Sequence, residues 1–364
     1  MQRRFLCVTN LPTPYRAHLF RHLSQAFAKR GVLFEVAFMS DRVRNRSFHE
    51  DLPALDFAHT TEWGLQVLLR ERPLHFNPAL VFGVLRRPPE FLMLGGWSDP
   101  TCRALLTLVT SLRPAVKVLM WAEANAASIQ YRSGLPDLIR RFAATRCRSY
   151  VLPGLLARRC VEEEWGVTPE REFILPNLVD EALFARSGEL DLEVRAEARR
   201  SYGIKADQRV LLWVARLSEW EKGILSFLER VRPIWLKSIL LLIAGDGPDR
   251  LRIQAWLNEQ GLDNVKLLGH LPQAALRRLY LLSDVFLLPS KHDKNPLTVI
   301  EALWAGLPLL ISKNCGNWPE AVMVTQNGWV VDPEDGVAVR AAFADMLKRD
   351  KLQLQAMGKV SQEI

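Results

Sequence analysis

Two carboxylates stand eight residues apart in the stretch Asp293 to Glu301, D-K-N-P-L-T-V-I-E, with Pro296 between them where a helix would open. The apolar run Val285-Phe286-Leu287-Leu288-Pro289 precedes it and reads as a buried parallel strand. A strand, a loop and a helix N-terminus in that order can bind phosphate, because the free N–H groups of the first helical turn carry about half a positive charge. Glu301, about one and a half turns further in, would meet hydroxyls beside the phosphates. An ordinary surface helix that happens to carry an acid would look the same over this stretch alone.

Three further stretches fall where strands of the same half should end. Arg216 and Lys222, six apart in A-R-L-S-E-W-E-K-G, offer two cations, one in a loop and one near the next helix start. A diphosphate needs two such arms, whereas singly each is an ordinary surface cation. Gly245-Asp246-Gly247-Pro248 has the chemistry of a tight turn, either only a turn or a place where a ligand approaches main chain. Asn264 to His270, N-V-K-L-L-G-H, reads as a strand leaving at Leu268-Gly269, where backbone groups can read a planar base.

The elements that must position these residues follow from periodicity. From Arg209 onward, strands at Val210–Val214, Ser238–Ala244, Val265–Leu268, Val285–Leu288 and Pro308–Ile311 alternate with helices near Lys222–Arg232 and at Asp249–Asn258, Gln273–Leu282 and Pro296–Trp304. Strict β/α alternation with apolar strands predicts a doubly wound parallel sheet. The first half starts the same way, with a strand over 4–10, a helix over Tyr15–Arg30 and a strand near Phe34–Met39. Residues 51–88 are irregular. Strands then end at Gly95-Gly96-Trp97 and at Glu123-Ala124-Asn125, where ligands of open α/β sheets sit. Gly95 and Gly96 either let a substrate approach or simply turn the chain, and Glu123 is either beside that substrate or an exposed acid. A helix over Leu138–Arg148, a strand over Ser149–Leu152 and a helix over Leu155–Trp165 complete this half, and a charged helix over Glu189–Ser201 opens the next. The expected division is an N-terminal domain over 1–170, a linker over 171–185 where Gly and Pro break the pattern, and a C-terminal domain over 186–364.

Length and composition bound the function. The 364 residues, 49% hydrophobic and 24% charged, suffice for two α/β domains. No apolar run approaches the roughly 20 residues of a membrane span, and the N-terminus has no standard signal sequence, so a cytoplasmic protein is expected. Cys7, Cys102, Cys147, Cys160 and Cys315 are scattered and read as reduced core fillers. Residues 1–150 hold 21 Lys and Arg against 11 Asp and Glu, while the whole chain has a net charge of +8. A basic first domain suits an anionic membrane surface or phosphorylated substrates, or is simply a solvated face. This holds also for the clusters Arg16, Arg21, Lys29, Arg30 and Arg42, Arg44, Arg46. No zinc-finger, RNP or Lys/Arg-rich block points to nucleic acid.

In order along the chain, A-R-L-x4-K-G at Ala215–Gly223, I-A-G-D-G-P at Ile243–Pro248, N-V-K-L-L-G at Asn264–Gly269, S-D-V-F-L-L-P-S at Ser283–Ser290 and N-P-L-T-V-I-E-A-L-W-A-G-L-P at Asn295–Pro308 resemble the donor half of a family 4 glycosyltransferase, glycosyltransferases group 1. Gly316-Asn317, Pro319 to Val322 and Asn327 to Trp329 extend the resemblance, which is specific from about 170 to 340. In the first half it rests on Asn10 to Arg16 and on Pro176 to Asp180.

The resemblance implies a GT-B architecture, two Rossmann-like doubly wound domains facing each other across a cleft, and transfer of a sugar from a UDP- or GDP-linked donor with retention of anomeric configuration. It implies that Arg216 and Lys222 hold the donor diphosphate in place of a metal, with no cofactor. Asp293 would act in catalysis, the Leu297 and Thr298 amides would cap a phosphate, and Glu301 would bind the ribose. Gly245, Gly247, Leu268, Gly269 and Asn295 complete the donor side, and Tyr15, Arg16, Gly95, Gly96 and Glu123 form the acceptor side. The acceptor would be a glycan or lipid-linked molecule, at the inner face of a membrane.

This sequence departs from the family where Asp293 replaces a longer glutamate, where Asn295-Pro296 replaces Phe-Gly, and where Glu123 stands at a strand end that often carries histidine. In the family the final helix crosses back to the first domain. The alternatives are a catalytically silent module that binds nucleotide, membrane or a partner, and an epimerase or phosphorylase on the same fold. An inverting enzyme would need Glu123 or Asp99 as base.

Overall fold

Runs such as Ile239-Leu-Leu-Leu-Ile-Ala244, apolar at every position, cannot present one face to water, so they become strands buried on both sides. The computed structural model describes residues 3–41, 52, 54–69, 72–129, 131–186 and 188–364, and the Arg42, Arg44 and Arg46 cluster lies outside them. The chain forms two units, Met1–Leu178 and Val179–Ile364, each with its own sheet.

The strands of the first unit are β1 (Arg3–Thr9), β2 (Val32–Phe38), β3 (His59–Thr61), β4 (Leu65–Leu69), β5 (Arg72–Phe76), β6 (Phe91–Leu94), β7 (Lys117–Trp121), β8 (Ser149–Leu152) and β9 (Arg171–Ile174). Its seven-stranded parallel sheet has the order β3-β2-β1-β6-β7-β8-β9, and β4 and β5 pair separately as an antiparallel hairpin. The second unit has β10 (Arg209–Val214), β11 (Ile239–Ala244), β12 (Val265–Gly269), β13 (Val285–Leu288), β14 (Leu309–Ser312) and β15 (Gly328–Val331), in the order β12-β11-β10-β13-β14-β15. All six residues of β11 and all four of β13 and β14 are buried. Each fully buried Leu or Ile contributes about 1.5–3 kcal/mol relative to exposure. The apolar clusters of the two units share no residue.

In both sheets the strand order reverses direction once, between β1 and β6 and between β10 and β13. The carboxyl ends of strands flanking such a reversal diverge and leave a crevice. The loops after β10 and β13 are those that carry Arg216, Lys222 and Asp293.

Several expectations are corrected. Residues 51–88 are not irregular, since they hold β3, the hairpin and a helix over Pro78–Arg86. The hairpin escaped notice because its outward face is apolar, which erases the usual alternation. The helix expected near Lys222–Arg232 breaks at Gly223, whose φ of 65° lies in the left-handed region, into Glu219–Lys222 and Ile224–Val231. The one expected over Leu155–Trp165 becomes an α-helix over Leu155–Arg159 and a π-helical turn over Cys160–Glu164. Within the expected linker 171–185 the two units divide between Leu178 and Val179; before that point β9 forms an edge of the first sheet, and after it Phe184, on a short helix over Glu181–Phe184, packs edge-on against Tyr280 in the second core. The last helix, Lys351–Glu363, lies against the helix Leu297–Trp304 of its own unit. A Cβ on its Gly358 would stand 2.1 Å from the Gly306 carbonyl, so the close approach requires glycine.

Candidate functional site

The turn after β10 and the turn after β13 are tied together by side chains. Lys222 pairs with the Asp293 carboxylate, which also accepts from Ser290 Oγ at 3.3 Å. Lys291 Nζ donates to Glu219 at 3.1 Å, His292 N–H donates to the Glu221 carbonyl at 2.8 Å, and Trp220 stacks on His292 with ring centroids 4.5 Å apart. Glu219 in turn accepts from the Leu225 amide at 2.8 Å and from Ser226 Oγ at 2.6 Å, which locks the start of the following helix. Burial works against the Lys222 ammonium, but the adjoining Asp293 charge outweighs it and its pKa is raised. Arg216 lies on the outer side of this assembly, its Nη1 3.9 Å from Glu221 Oε2 and its side chain 46% exposed.

Pro296 caps the helix Leu297–Trp304 without a side-chain hydrogen bond to its amides, so the first-turn N–H groups, those of Leu297 and Thr298 included, have no intrahelical acceptor. Asn317 Nδ2 holds the Pro296 carbonyl at 3.0 Å, and Asn295 is half-buried beside it. Glu301 is half-buried and accepts a hydrogen bond from Tyr280 Oη at 2.6 Å. Burial pushes its carboxyl up to about 7, with the Tyr280 hydroxyl opposing that rise. The Tyr280 phenol is held well above its usual value by burial and by the Glu301 charge.

The glycine turns have a different cause from the one expected. A Cβ at Gly245 would lie 1.9 Å from the Ala215 carbonyl oxygen, and one at Gly247 would lie 2.4 Å from that of Leu217. These glycines admit the protein's own main chain: Leu217 N–H donates to the Asp246 carbonyl at 3.0 Å, and Gly245 N–H donates to that of Gly269 at 2.7 Å. The close approach fixes the loop that carries Arg216. Leu268, half-buried, ends β12 beside Gly269.

In the first unit the ends of β1, β6 and β7 bring together Tyr15, Arg16, Gly95 and Glu123. Arg16 is buried and donates to Thr9 Oγ1 and, at 2.6 Å, to Asn10 Oδ1, with its guanidinium 5.5 Å from the Trp121 ring centroid. Burial works against its charge, and the neighbouring Tyr15 and Glu123 outweigh it, so its pKa is raised. Burial raises the Tyr15 phenol, against the pull of Arg16. Arg16 Nε, Trp121 Nε1 and Glu123 Oε1 are buried without a hydrogen-bond partner among the described residues, two donors and an acceptor near one another. Gly95 packs against β1, its Cβ position 3.1 Å from the Val8 carbonyl, while Gly96 faces open space. Asp99 is committed elsewhere: it accepts from His75 Nδ1 at 2.9 Å and from the His75 amide at 3.1 Å, and it caps the helix Pro100–Leu112. That removes it as a base for an inverting reaction.

Residues 194–362 match the family model described as glycosyl transferases group 1. The match covers 169 of the 364 residues, all of them in the second unit, which is similar to that family. It is 32% identical over 149 residues to an uncharacterized glycosyltransferase, MJ1607, of Methanocaldococcus jannaschii, an alignment covering 40% of this chain and 37% of that one. The chain spans less than half the length of the curated relatives it matches most strongly. In structure it is similar to Anabaena Alr3699/HepE in complex with UDP and glucose, at a TM-score of 0.72 and 15% identity over 100% of this chain and 94% of that one. It is also similar to WaaG, a glycosyltransferase involved in lipopolysaccharide biosynthesis, at a TM-score of 0.68 and 16% identity over 99% and 94%. These likenesses show the fold, which is GT-B.

Sequence reasoning missed Tyr280, Glu219, Lys291 and the Trp220–His292 stack. Tyr280 sits in an apolar helical pattern that hides its contact with Glu301, 21 residues away. Lys291 and His292 adjoin Asp293, and their proximity on the chain was the available signal. Among the described residues no group of three or more His, Cys, Asp or Glu side chains is arranged to hold a metal.

Proposed function

We propose that this protein transfers a sugar from a nucleotide diphosphate sugar, UDP- or GDP-linked, to a lipid-linked or cell-envelope glycan acceptor, with retention. The observation that carries the reading is the convergence, at the reversal of the second sheet, of Arg216, the Lys222–Asp293 pair, the open amides of Leu297 and Thr298, and Glu301. The diphosphate would take the helix N-terminus and Arg216, with Lys222 turning part of its charge from Asp293 toward it, and Glu301 as carboxylate would accept from the ribose hydroxyls. In the reaction the bond from the anomeric carbon to the phosphate oxygen breaks, a bond to the acceptor oxygen forms, and the acceptor's proton passes to the leaving diphosphate. Arg216 and Lys222 stabilise the charge that develops there, which is the task a metal would otherwise do. The unpartnered Arg16, Trp121 and Glu123 atoms suit a hydroxyl-bearing acceptor. The bound UDP and glucose in HepE and the role of WaaG support the donor and acceptor classes by analogy.

The test is incubation with UDP- and GDP-sugars and a polyprenyl-phosphate-linked acceptor, with the product anomer read by NMR. A retained linkage is expected; an inverted one would sink the mechanism. One observation favours a second reading, a nucleotide-binding module without turnover: the Lys222 charge is already matched by Asp293. Nucleotide binding with no product across a panel of donors and acceptors would select it.

A further inference from the structure

The hairpin β4–β5 has its amphipathicity reversed. Its register pairs Leu65 with Phe76 and Val67 with Leu74 on one face, and Gln66 with His75 and Leu68 with Pro73 on the other, where Leu68 is 44% exposed. The polar face is turned inward and pinned: His75 is buried, donates its amide to Asp99 at 3.1 Å, and meets Gln66 Nε2 at 3.2 Å. Asn77 Nδ2 clamps the base of the hairpin to the Met39 and Glu62 carbonyls, each at 2.9 Å, and Gly64 leaves no room for a Cβ against Asn77. The apolar face is left in solvent, with Leu65 58%, Val67 60% and Phe76 46% exposed, Trp63 at its start 74% exposed, and Phe82 on the next helix 66% exposed. A rigidly anchored face of this kind marks an interaction surface.

Its surroundings identify the occupant. From Trp63 to Leu85 the only Asp, Glu, Lys or Arg residues are Arg70, Glu71 and Arg72, and the segment ends at the exposed pair Arg86-Arg87. Arg113, also exposed, donates to the Leu85 carbonyl at 3.1 Å. Exposed large apolar and aromatic side chains in a segment that ends on exposed arginines match the acyl boundary and anionic headgroups of a bilayer, where Trp is favoured at the interface. No helix among the described residues is long and apolar enough to cross a membrane, so attachment through this face would be peripheral.

We infer that the outward face of the hairpin, with Trp63 and Phe82, docks on an anionic lipid surface and that Arg86, Arg87 and Arg113 engage its headgroups. The surface would bring the first unit to the lipid-linked acceptor proposed above and in that respect rests on that reading. The test sediments the full chain with vesicles of phosphatidylethanolamine and phosphatidylglycerol, and with phosphatidylcholine alone. Wild type should partition onto the anionic vesicles. Trp63→Ser/Val67→Ser should reduce that partition at least tenfold, and Arg86→Gln/Arg87→Gln about 25-fold on anionic vesicles only, each lost arginine counting about fivefold. All four positions are solvent-exposed, and circular dichroism together with an unchanged nucleotide-induced thermal shift verifies that the variants fold.

Absence of wild-type binding, or equal binding by wild type and the serine variant, would overturn the proposal. So would a concentration-dependent dimer, lost in the serine variant, without vesicle binding, which would assign the face to a second copy of the chain. Vesicle binding without any nucleotide response would remove the glycosyl-transfer reading and leave this surface standing; a nucleotide response without vesicle binding would do the reverse.

Discussion

Glu301 sits where a small change in protonation has two measurable effects. Its carboxyl is raised from about 4.5 to about 7, so between those pH values the folded protein holds a proton that the unfolded chain has released. Its contribution to stability is therefore complete below pH 4.5 and declines as pH rises to about 7. The denaturation midpoint of wild type should fall relative to that of Glu301→Gln across this window. Ribose hydroxyls need an acceptor, so nucleotide affinity should rise as pH passes 7 and Glu301→Gln should flatten the profile. Because the Tyr280 hydroxyl favours the charged form, Tyr280→Phe should move that rise to higher pH, read by calorimetric titration. Asp293 gives the complementary case. Its pair with Lys222 is largely buried, and Asp293→Ala leaves an ammonium without its counter-charge, which should cost about 2–3 kcal/mol in urea denaturation. Arg216, 46% exposed beside Glu221, is not buried as that pair is. Arg216→Ala should leave stability unchanged within about 0.5 kcal/mol and lower kcat/KM for the donor about 100-fold or more.

At the scale of elements, the site depends on turns that touch each other. The approach of 245–247 to 215–217 is close enough that Gly247→Ala places a methyl 2.4 Å from the Leu217 carbonyl oxygen and 2.7 Å from its amide nitrogen. One of the two turns must shift, and because Leu217 N–H donates to the Asp246 carbonyl at 3.0 Å, a shift of either disturbs the Arg216 loop. Gly247→Ala should weaken nucleotide binding at least tenfold by thermal shift. How readable the elements were varied for a physical reason. The strand Val285–Leu288 and the helix Gln273–Leu282 were legible to the residue and the strands at 209–214, 239–244, 265–269 and 309–312 to within one, because uniform apolarity and helical spacing survive in the sequence. The helix Pro78–Arg86 and the hairpin were not, since exposed apolar residues there break the pattern that burial normally writes.

For the whole molecule, the one apolar cluster of the second unit shares no residue with the two of the first, so ligand energy enters one unit first. A nucleotide at 100 times its dissociation constant stabilises the state that binds it by about 2.7 kcal/mol. Differential scanning calorimetry should resolve two transitions, of which nucleotide raises only the one that also responds to Asp293→Ala. A uniform shift of both would show that the units unfold together and would revise this expectation.

The sequence alone determined the β/α alternation, the positions of strand ends in the second half and the residue types gathered there, because apolar periodicity and local turn chemistry act over short stretches of chain. Tertiary structure decided which of those residues meet. Lys222 and Asp293, 71 positions apart, neutralise each other across two loops; burial raises the Glu301 carboxyl against the opposing hydrogen bond from Tyr280; Gly245 and Gly247 accommodate neighbouring main chain; and Asp99 is bound to His75. Each depends on distances between segments distant in sequence, and those distances are set by the strand order of the sheets and the packing around them.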